Sequence, residues 1–367
     1  MKIIAFYLPQ YHPTEHNNEW WGKGFTEWTN VAKAKKYFRA HYQPKIPADL
    51  GFYDLRLPEV REQQVMLAKE AGVDAFCYYH YWFGNGNREL DLPFNEVLKN
   101  KKPDFPFCVC WANHSWFQKT WDPRKPNRLL VEQTYPGEDD YKKHFETLLP
   151  AFKDPRYFRI DGKPVFVIYK PLHFKDFKRF ICLWNGWAKE QSLPGIHFIA
   201  YTLDIRKEYE ALKDCGVDSI CSCRLDYLSM VNRNEYGFVR YLINQMWSRL
   251  WRRLLHRPKC LNYKRDFTKL IGDEEISIEN VFPTLVPNWD HTPRSGDRGY
   301  LFTNSTPELF QKHCEDVFLK IASKKEENQI VFLKSWNEWG EGNYMEPDLK
   351  FGHGYINALK NALKKNS

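Results

Sequence analysis

The sequence predicts a TIM-type (β/α)8 barrel, a single α/β domain with insertions in its βα loops, and three observations carry that prediction. About eight apolar runs rich in β-branched and aromatic residues are spread over the 367 residues. Most are nearly continuous rather than alternating, which marks strands covered on both faces, as in a parallel sheet. A unit of helix end, glycine, short turn and strand recurs, as "AGVDAF" at 71–76 and "CGVDSI" at 215–220, and its repetition points to βα repeats. No GxGxxG or Walker-type loop argues for an open doubly wound sheet instead.

In order, the candidate strands are "KIIAFYL", "DAFCYYHYW", "FPFCVCWAN", "PVFVIYK", "IHFIAYT", "DSICSC", "NVFPTLVP" and "QIVFLKSW". Helical patterns lie between them. The clearest is "LPEVREQQVMLAKEAG", with Pro58 suited to a first turn, Val60, Leu67 and Ala71 at helical spacings, and Gly72 as the stop. No low-complexity tract or long Gly/Ser linker divides the chain, so 1–367 reads as one domain. Two connections exceed what a barrel needs: an aromatic-rich stretch at 13–57 and a basic, amphipathic insertion at 228–276. Long loops in compact domains tend to be lids, insertions or binding loops.

Composition narrows the function. The 14 Trp, 21 Tyr and 26 Phe exceed what packing alone demands, and rings lining a cleft would suit stacking on sugar faces or bases. Nine cysteines, an odd number without a CxxC pair, sit largely in apolar runs such as "FCVCW" and "SICSC". They read as free core thiols in a reducing compartment. The N-terminus has too short an apolar stretch for a signal peptide, and no run approaches the roughly 18 residues of a membrane span. The expected location is therefore cytoplasmic, with the inner face of the membrane as one option. The net charge of +8 is concentrated at 240–269, so it describes that segment rather than the whole surface.

In a barrel, polar residues at the C-terminal ends of the strands form the active site, and here they collect at all eight ends. The candidates for substrate binding are Tyr7 and His12 after the first strand, His80 and Trp82 after the second, and Trp111, Asn113, His114 and Trp116 after the third. Tyr169 follows the fourth, Tyr201 and Asp204 the fifth, and Arg224 and Asp226 the sixth. "NWDHTPR" after the seventh supplies Asn288, Trp289 and Asp290, with His291 and Arg294 close by; Trp336, Asn337 and Glu346 flank the eighth. A lone aromatic or histidine at a strand end is commonly a packing residue. Their coincidence at eight ends points to a carbohydrate-type cleft. No HExxH or His-x-His spacing accompanies the histidines, so neither a catalytic metal nor another cofactor is expected.

The catalytic candidates are Glu338 and Glu341 in "SWNEWGEGNYMEP". On a fully extended strand, residues three apart would face opposite ways; Gly340 is expected to permit a turn that brings both to one cavity. Glycosidic cleavage needs such a pair, one carboxyl to protonate the leaving oxygen and one to act as base or nucleophile. Aromatic walls would raise one pKa by desolvation. No Lys or Arg follows the pair before Lys350, so the acids read as lacking a neutralising cation, a setting that lets one keep its proton.

"SWNEWGEGNYMEP", together with "FYLPQYHP", "GFTEW", "YYHYWF" and "CWANHSW", resembles the WbsX-type proteins of bacterial surface-polysaccharide gene clusters, which are similar to glycoside hydrolase family 99, the endo-α-mannosidases. The resemblance covers most of the chain. It implies a (β/α)8 barrel, no metal, and retaining endo-acting chemistry on α-mannoside-like linkages of an oligo- or polysaccharide. It further implies that Glu338 assists attack by the sugar's own 2-hydroxyl, giving an anhydro-sugar intermediate, and that Glu341 is general acid and then base. Gly340 stands where the mannosidases usually have histidine, and "YLPQYHP" replaces their "YYPWY" style, departures that bear on sugar preference rather than on the acid pair.

Other readings stay open. WbsX-type proteins are often labelled glycosyltransferases, although the chain shows no nucleotide-binding fold and its DxD-like acids, "EDD" at 138–140, lie in a hydrophilic connection. A non-catalytic glycan-binding barrel is the third. Within the basic insertion, Leu242, Ile243, Met246, Trp247, Leu250, Trp251, Leu254 and Leu255 fall at helical spacing with Arg249, Arg252 and Arg253 interleaved. That pattern suits peripheral contact with an anionic membrane through 240–269, or else an outer barrel helix with an ordinary packed stripe. No recognised nucleic-acid motif accompanies the charge.

Overall fold

The computed structural model describes residues 1–118, 127–225, 228 and 237–366, with part of the side chains in 237–248 also outside the description. Asp226, a strand-end candidate, lies outside the described residues.

Eight parallel strands close into a barrel. They are β1 (Lys2–Tyr7), β2 (Ala75–Trp82), β3 (Phe107–Trp111), β4 (Lys163–Ile168), β5 (His197–Thr202), β6 (Ser219–Ser222), β7 (Val281–Leu285) and β8 (Ile330–Leu333). Each pairs with its sequence neighbours, and β1 pairs with both β8, in register Ala5↔Leu333, and β2, in register Ala5↔Phe76. Every one of the eight apolar runs became one of these strands. All residues of β2, β3, β5, β6, β7 and β8 are buried, because side chains inside the barrel and helices outside cover both faces.

The outer layer is built from α1 (Pro58–Ala71), α2 (Leu92–Asn100), α3 (Glu138–Phe152), α4 (Phe177–Glu190) and α5 (Ile205–Asp214), then, after α6 (Gly237–Leu255) in the connection between β6 and β7, from α7 (Pro307–Ile321) and α8 (Gly354–Asn366). The short helix Asp273–Ser277 leads into β7, and α8 closes the ring between α7 and α1. Pro58 begins α1, and Gly72 caps it in the left-handed conformation at φ 85°. The repeated "GVD" has a single physical basis. Asp74 Oδ2 accepts the Ile3 N–H at 2.8 Å, and Asp218 Oδ2 accepts the Phe198 N–H at 2.9 Å. Each aspartate thereby satisfies a backbone donor near the start of the preceding strand.

The 13–57 connection folds over the C-terminal face of the barrel. Its helix Glu27–Ala32 puts Trp28 against Tyr11, Tyr53 and Trp339, while Trp28 Nε1 donates to the Tyr53 carbonyl at 2.7 Å. Lys45, buried in the same stretch, donates to the Gly342 carbonyl at 3.0 Å. The first and last βα loops are therefore one packed body at the mouth of the barrel.

Candidate active site

Glu338 and Glu341 lie on a tight hairpin after β8, in which Asn337–Glu338 pairs antiparallel with Asn343–Tyr344 around the 3-10 turn Trp339–Glu341. Asn337 fastens its base, accepting the Leu8 N–H at 2.8 Å and donating to the Leu8 carbonyl at 3.0 Å. Gly340 is needed for space rather than for the turn. The positive φ of 56° belongs to Gly342, whereas a Cβ at position 340 would lie 1.9 Å from Glu27 Oε1 and 3.0 Å from Arg294 Nε.

The acids do have a cation, contrary to the expectation from the local sequence. Arg294, from the loop after β7, donates through Nη2 to Glu338 at 2.8 Å, through Nη1 to Glu341 at 2.7 Å and through Nε to Glu27 at 2.7 Å. One planar guanidinium thus uses all three of its edges on carboxylates. Lys334 follows β8 into the interior, its Nζ 5.7 Å from the centre of the Tyr201 ring. Burial opposes its charge, but Tyr169, Glu341, Cys223 and Glu338 more than restore it and raise its pKa.

Three carboxylates against two cations leave one net negative charge, which a single proton cancels. Burial pushes the Glu338 carboxyl up to about 7; Arg294 pulls the other way, and Glu341 and Glu27 add to the rise. Burial also acts on Glu341, but Arg294, Lys334 and His291 outweigh it and hold this carboxyl below its usual range. The two carboxyls are therefore pushed in opposite directions in the open cleft, Glu338 toward holding a proton and Glu341 toward the charged form.

These groups line a cleft of about 410 Å³ with aromatic walls from Trp21, Phe25, Tyr79, Tyr81, Trp116, Phe117 and Tyr169. Gln10, Trp21, His114, Trp116, Phe117 and Arg294 are shared with a second hollow of about 790 Å³, which runs past Asn113, Tyr135 and Lys170. Together they form a groove larger than a single small-molecule pocket requires. His114 is held neutral by burial, with Lys170 and His173 adding to the effect, at about 4. Its buried Nδ1 has no partner among the described residues.

Of the residues nominated from sequence, His114, Trp116, Tyr169, His291 and Arg294 line the cleft with the two glutamates, and Asn113 lines its continuation. The others are placed elsewhere. Five point outward into the helical layer. Tyr7 Oη donates to Gln64 on α1 at 2.7 Å, His80 Nε2 lies 2.8 Å from His144 Nε2 on α3, and Trp82 stacks on His144 at 4.6 Å. Trp111 Nε1 donates to the Trp82 carbonyl at 2.8 Å, and Trp336 packs on Phe76 at 5.6 Å.

A second group holds the loops together. Asn337 is described above; Asp290 accepts from His41 and Gln43 at 2.8 and 2.7 Å and from the Thr292 hydroxyl at 2.6 Å. Asn288 Oδ1 accepts the Trp289 N–H at 2.8 Å, and Trp289 stacks on His291 and Tyr300. Glu346 accepts from Gln64, Trp339 and Tyr53 at 2.6, 2.7 and 2.9 Å. His12 is buried in the first loop, Tyr201 stacks beneath Tyr169 at 4.8 Å, and Asp204 precedes α5 in an ion pair with Lys207. The "EDD" acids begin α3, where Asp140 accepts from Trp82 Nε1 at 3.1 Å.

Sequence reasoning passed over Glu27, Lys334 and Tyr79, whereas Tyr81, named with the "HYW" strand end, does line the cleft. A lysine inside a continuous apolar strand, "VFLKSW", was a usable signal for Lys334. Glu27 lies 267 residues from Arg294 and had none beyond its place in "GFTEW". Among the described residues no cluster of three or more His, Cys, Asp or Glu has the geometry to hold a metal ion, and none of the nine cysteines is bonded to another.

The molecule is thus a (β/α)8 barrel protein with an acid pair at the mouth of the barrel. The chain belongs to the WbsX family, whose model, described as "Glycosyltransferase WbsX", matches residues 3–359. Two proteins of Xanthomonas campestris pv. campestris, each named uncharacterized protein WxcX, are 32% identical to it over 373 residues, or 99% of this chain. The chain spans about half the length of these curated relatives, 50% in each case. Among solved structures, a glycoside hydrolase-like protein superposes with a TM-score of 0.58 at 16% identity, covering 98% of this chain and 93% of its own. Two structures of the GH99 endo-alpha-mannosidase from Bacteroides thetaiotaomicron give 0.57 and 0.56 at 15% and 14% identity, covering 99% of this chain and 97% of theirs. These superpositions establish a shared fold.

Proposed function

We propose that the protein is a glycan-active enzyme, a retaining endo-glycosidase acting on bacterial surface polysaccharide or its lipid-linked precursor. The observation that carries the reading is the Arg294-bridged pair Glu338 and Glu341, one pushed toward the protonated form and one toward the charged form, in an aromatic-walled groove. Retaining cleavage needs one carboxyl of each kind beside the scissile bond. Stacking rings and a groove longer than one sugar suit an internal linkage of a chain.

The family resemblance gives Glu338 the task of drawing the proton from the 2-hydroxyl as that oxygen closes on the anomeric carbon, and Glu341 the task of protonating the departing oxygen. Water then opens the anhydro-sugar with the proton transfers reversed. In the open cleft burial and Arg294 favour the proton on the other member of the pair. Arg294 touches both, so a glycan that draws Nη1 away from Glu341 raises that carboxyl's proton affinity and moves the proton to where these roles need it. The reverse assignment follows directly from the open-cleft electrostatics. Substrates with a leaving group that needs no protonation separate the two: the variant of the general acid, Glu341→Gln on the first assignment, retains turnover of an aryl glycoside while losing the natural glycan. Retention by Glu338→Gln instead would reverse the roles, and unaltered turnover in both variants would remove the pair from catalysis.

The second reading is sugar transfer, favoured by the family's description. A retaining hydrolase that hands its intermediate to an acceptor hydroxyl rather than water would perform it without a nucleotide. Incubation with capsule and O-antigen glycans, with products read by mass spectrometry, distinguishes hydrolysis from transfer; calorimetric binding of a sugar nucleotide would move the reading to a conventional transferase.

A further inference from the structure

Helix α6 does not bury its apolar stripe. An amphipathic helix of a globular protein ordinarily turns that stripe to the core, and a packed outer helix was one expectation from sequence. Instead Ile243, Met246, Trp247, Leu250, Trp251 and Leu254, spaced as one helical face, are all exposed, Met246 at 69% and Trp247 at 52%. The two tryptophan rings stack on each other at 6.2 Å. Arg249, Arg252 and Arg253 share the hollow that these apolar side chains form, and they are exposed as well.

Charge decides what fits there. From Gly237 to Arg265 the chain carries eight Lys or Arg and no Asp or Glu. A second copy packed on this face would bring its own arginine row against the first, at a cost in repulsion. An anionic lipid surface meets all three features at once: acyl chains take the aliphatic stripe, the headgroup boundary takes the indoles, and the headgroups take the guanidinium groups. The helix is too polar to cross a bilayer, and among the described residues no helix is long and apolar enough to do so.

The base of the helix is fastened near the cleft. His256 Nδ1 lies 2.9 Å from Asp297 Oδ2, three residues past Arg294, and Arg257 sits over the Phe38 ring at 4.9 Å. Strand Lys259–Asn262 then pairs with Tyr300–Thr303. We propose that α6 is an interfacial helix that binds the headgroup region of an anionic lipid bilayer and holds the mouth of the barrel close to that surface. The proposal concerns binding alone and does not depend on the catalytic reading.

The test is co-sedimentation of the full chain with vesicles of phosphatidylcholine, alone or with phosphatidylglycerol. Binding is expected only with the anionic lipid and is expected to weaken with salt. Replacing Arg249, Arg252 and Arg253 together by Gln should lower partitioning about a hundredfold, at roughly tenfold or less per arginine. Trp247→Ala with Trp251→Ala should weaken it on the same vesicles. All five side chains are exposed, so circular dichroism and the thermal midpoint should stay unchanged in both variants. Partitioning that ignores lipid charge and the arginine replacements would overturn the proposal. So would no vesicle binding at any composition, including the case in which light scattering shows a dimer that the tryptophan variant dissociates.

Discussion

Two buried glutamates eight residues apart, Glu338 and Glu346, are each pushed up to about 7 and lie in different surroundings. Burial dominates in both. Glu338 faces a cleft and shares a guanidinium with two other carboxylates, whereas Glu346 lies between the first loop, the hairpin and α1 and is satisfied by the neutral donors of Tyr53, Trp339 and Gln64. A perturbed carboxyl is therefore not by itself a functional one. What separates the two is access to a ligand and a partner whose contact a ligand can displace.

The largest expected contrast between them is in turnover. Glu338→Gln and Glu341→Gln should each lower hydrolysis of the natural glycan by about 10²- to 10⁴-fold, the range for removing a positioned acid or base, with little loss of thermal stability. Glu346→Gln should leave kcat within a few-fold of the parent. Equal activity losses at 338 and 346 would erase the distinction.

Next in size is removal of the shared cation. Arg294→Met leaves Glu27, Glu338 and Glu341 facing one another, and breaking a buried ion pair from one side costs about 3–5 kcal/mol. Denaturant unfolding should show that loss at pH 8 and a smaller one at pH 5, where the carboxyls take up protons. The same replacement at Arg224, whose Nε reaches Glu275 at 2.7 Å away from the cleft, should cost stability without altering the pH profile of turnover.

The pH dependence of Glu346 is smaller. Its folded pKa of about 7 lies above the ordinary value of 4.5, so the folded state binds the proton more tightly than the unfolded chain. The resulting stability is fully present below pH 4.5 and is lost as the pH rises through 7, at most about 3 kcal/mol for this group. The unfolding free energy of Glu346→Gln should fall less steeply across that window than the parent's; parallel curves would show that Glu346 is not the group titrating.

The smallest effect is expected at Gly340→Ala, where Glu27 must move to admit the methyl group. A cost of about 1–3 kcal/mol follows from overpacking, together with a weakened Arg294 contact. A crystal structure with Glu27 undisplaced would refute the steric account of this glycine.

The barrel was legible in the sequence because a strand covered on both faces needs no alternation, and the eight continuous runs each became one strand. That continuity hid the facing of individual residues. In "YYHYW" every position is suitable for either side, and the pleat turned Tyr79 and Tyr81 to the cleft while His80 and Trp82 went to the helices. The most polar-looking positions of the strand end were thus the wrong ones. Asp290 and Asn337 misled differently: both lie at strand ends as expected, but their polar atoms are consumed in holding loops together.

From the sequence alone came the eight strands, the recurrent glycine turn at 71–76 and 215–220, the acid pair at the last strand end, and the cationic apolar helix. These are local properties, set by residue type and spacing over a few turns of chain. The closed barrel decided the rest. It brought Arg294 from 44 residues away and Glu27 from the other end of the chain to Glu338 and Glu341, and so reversed the expectation of acids without a cation. Long-range electrostatics depends on distances through space, which only the closure of the barrel defines.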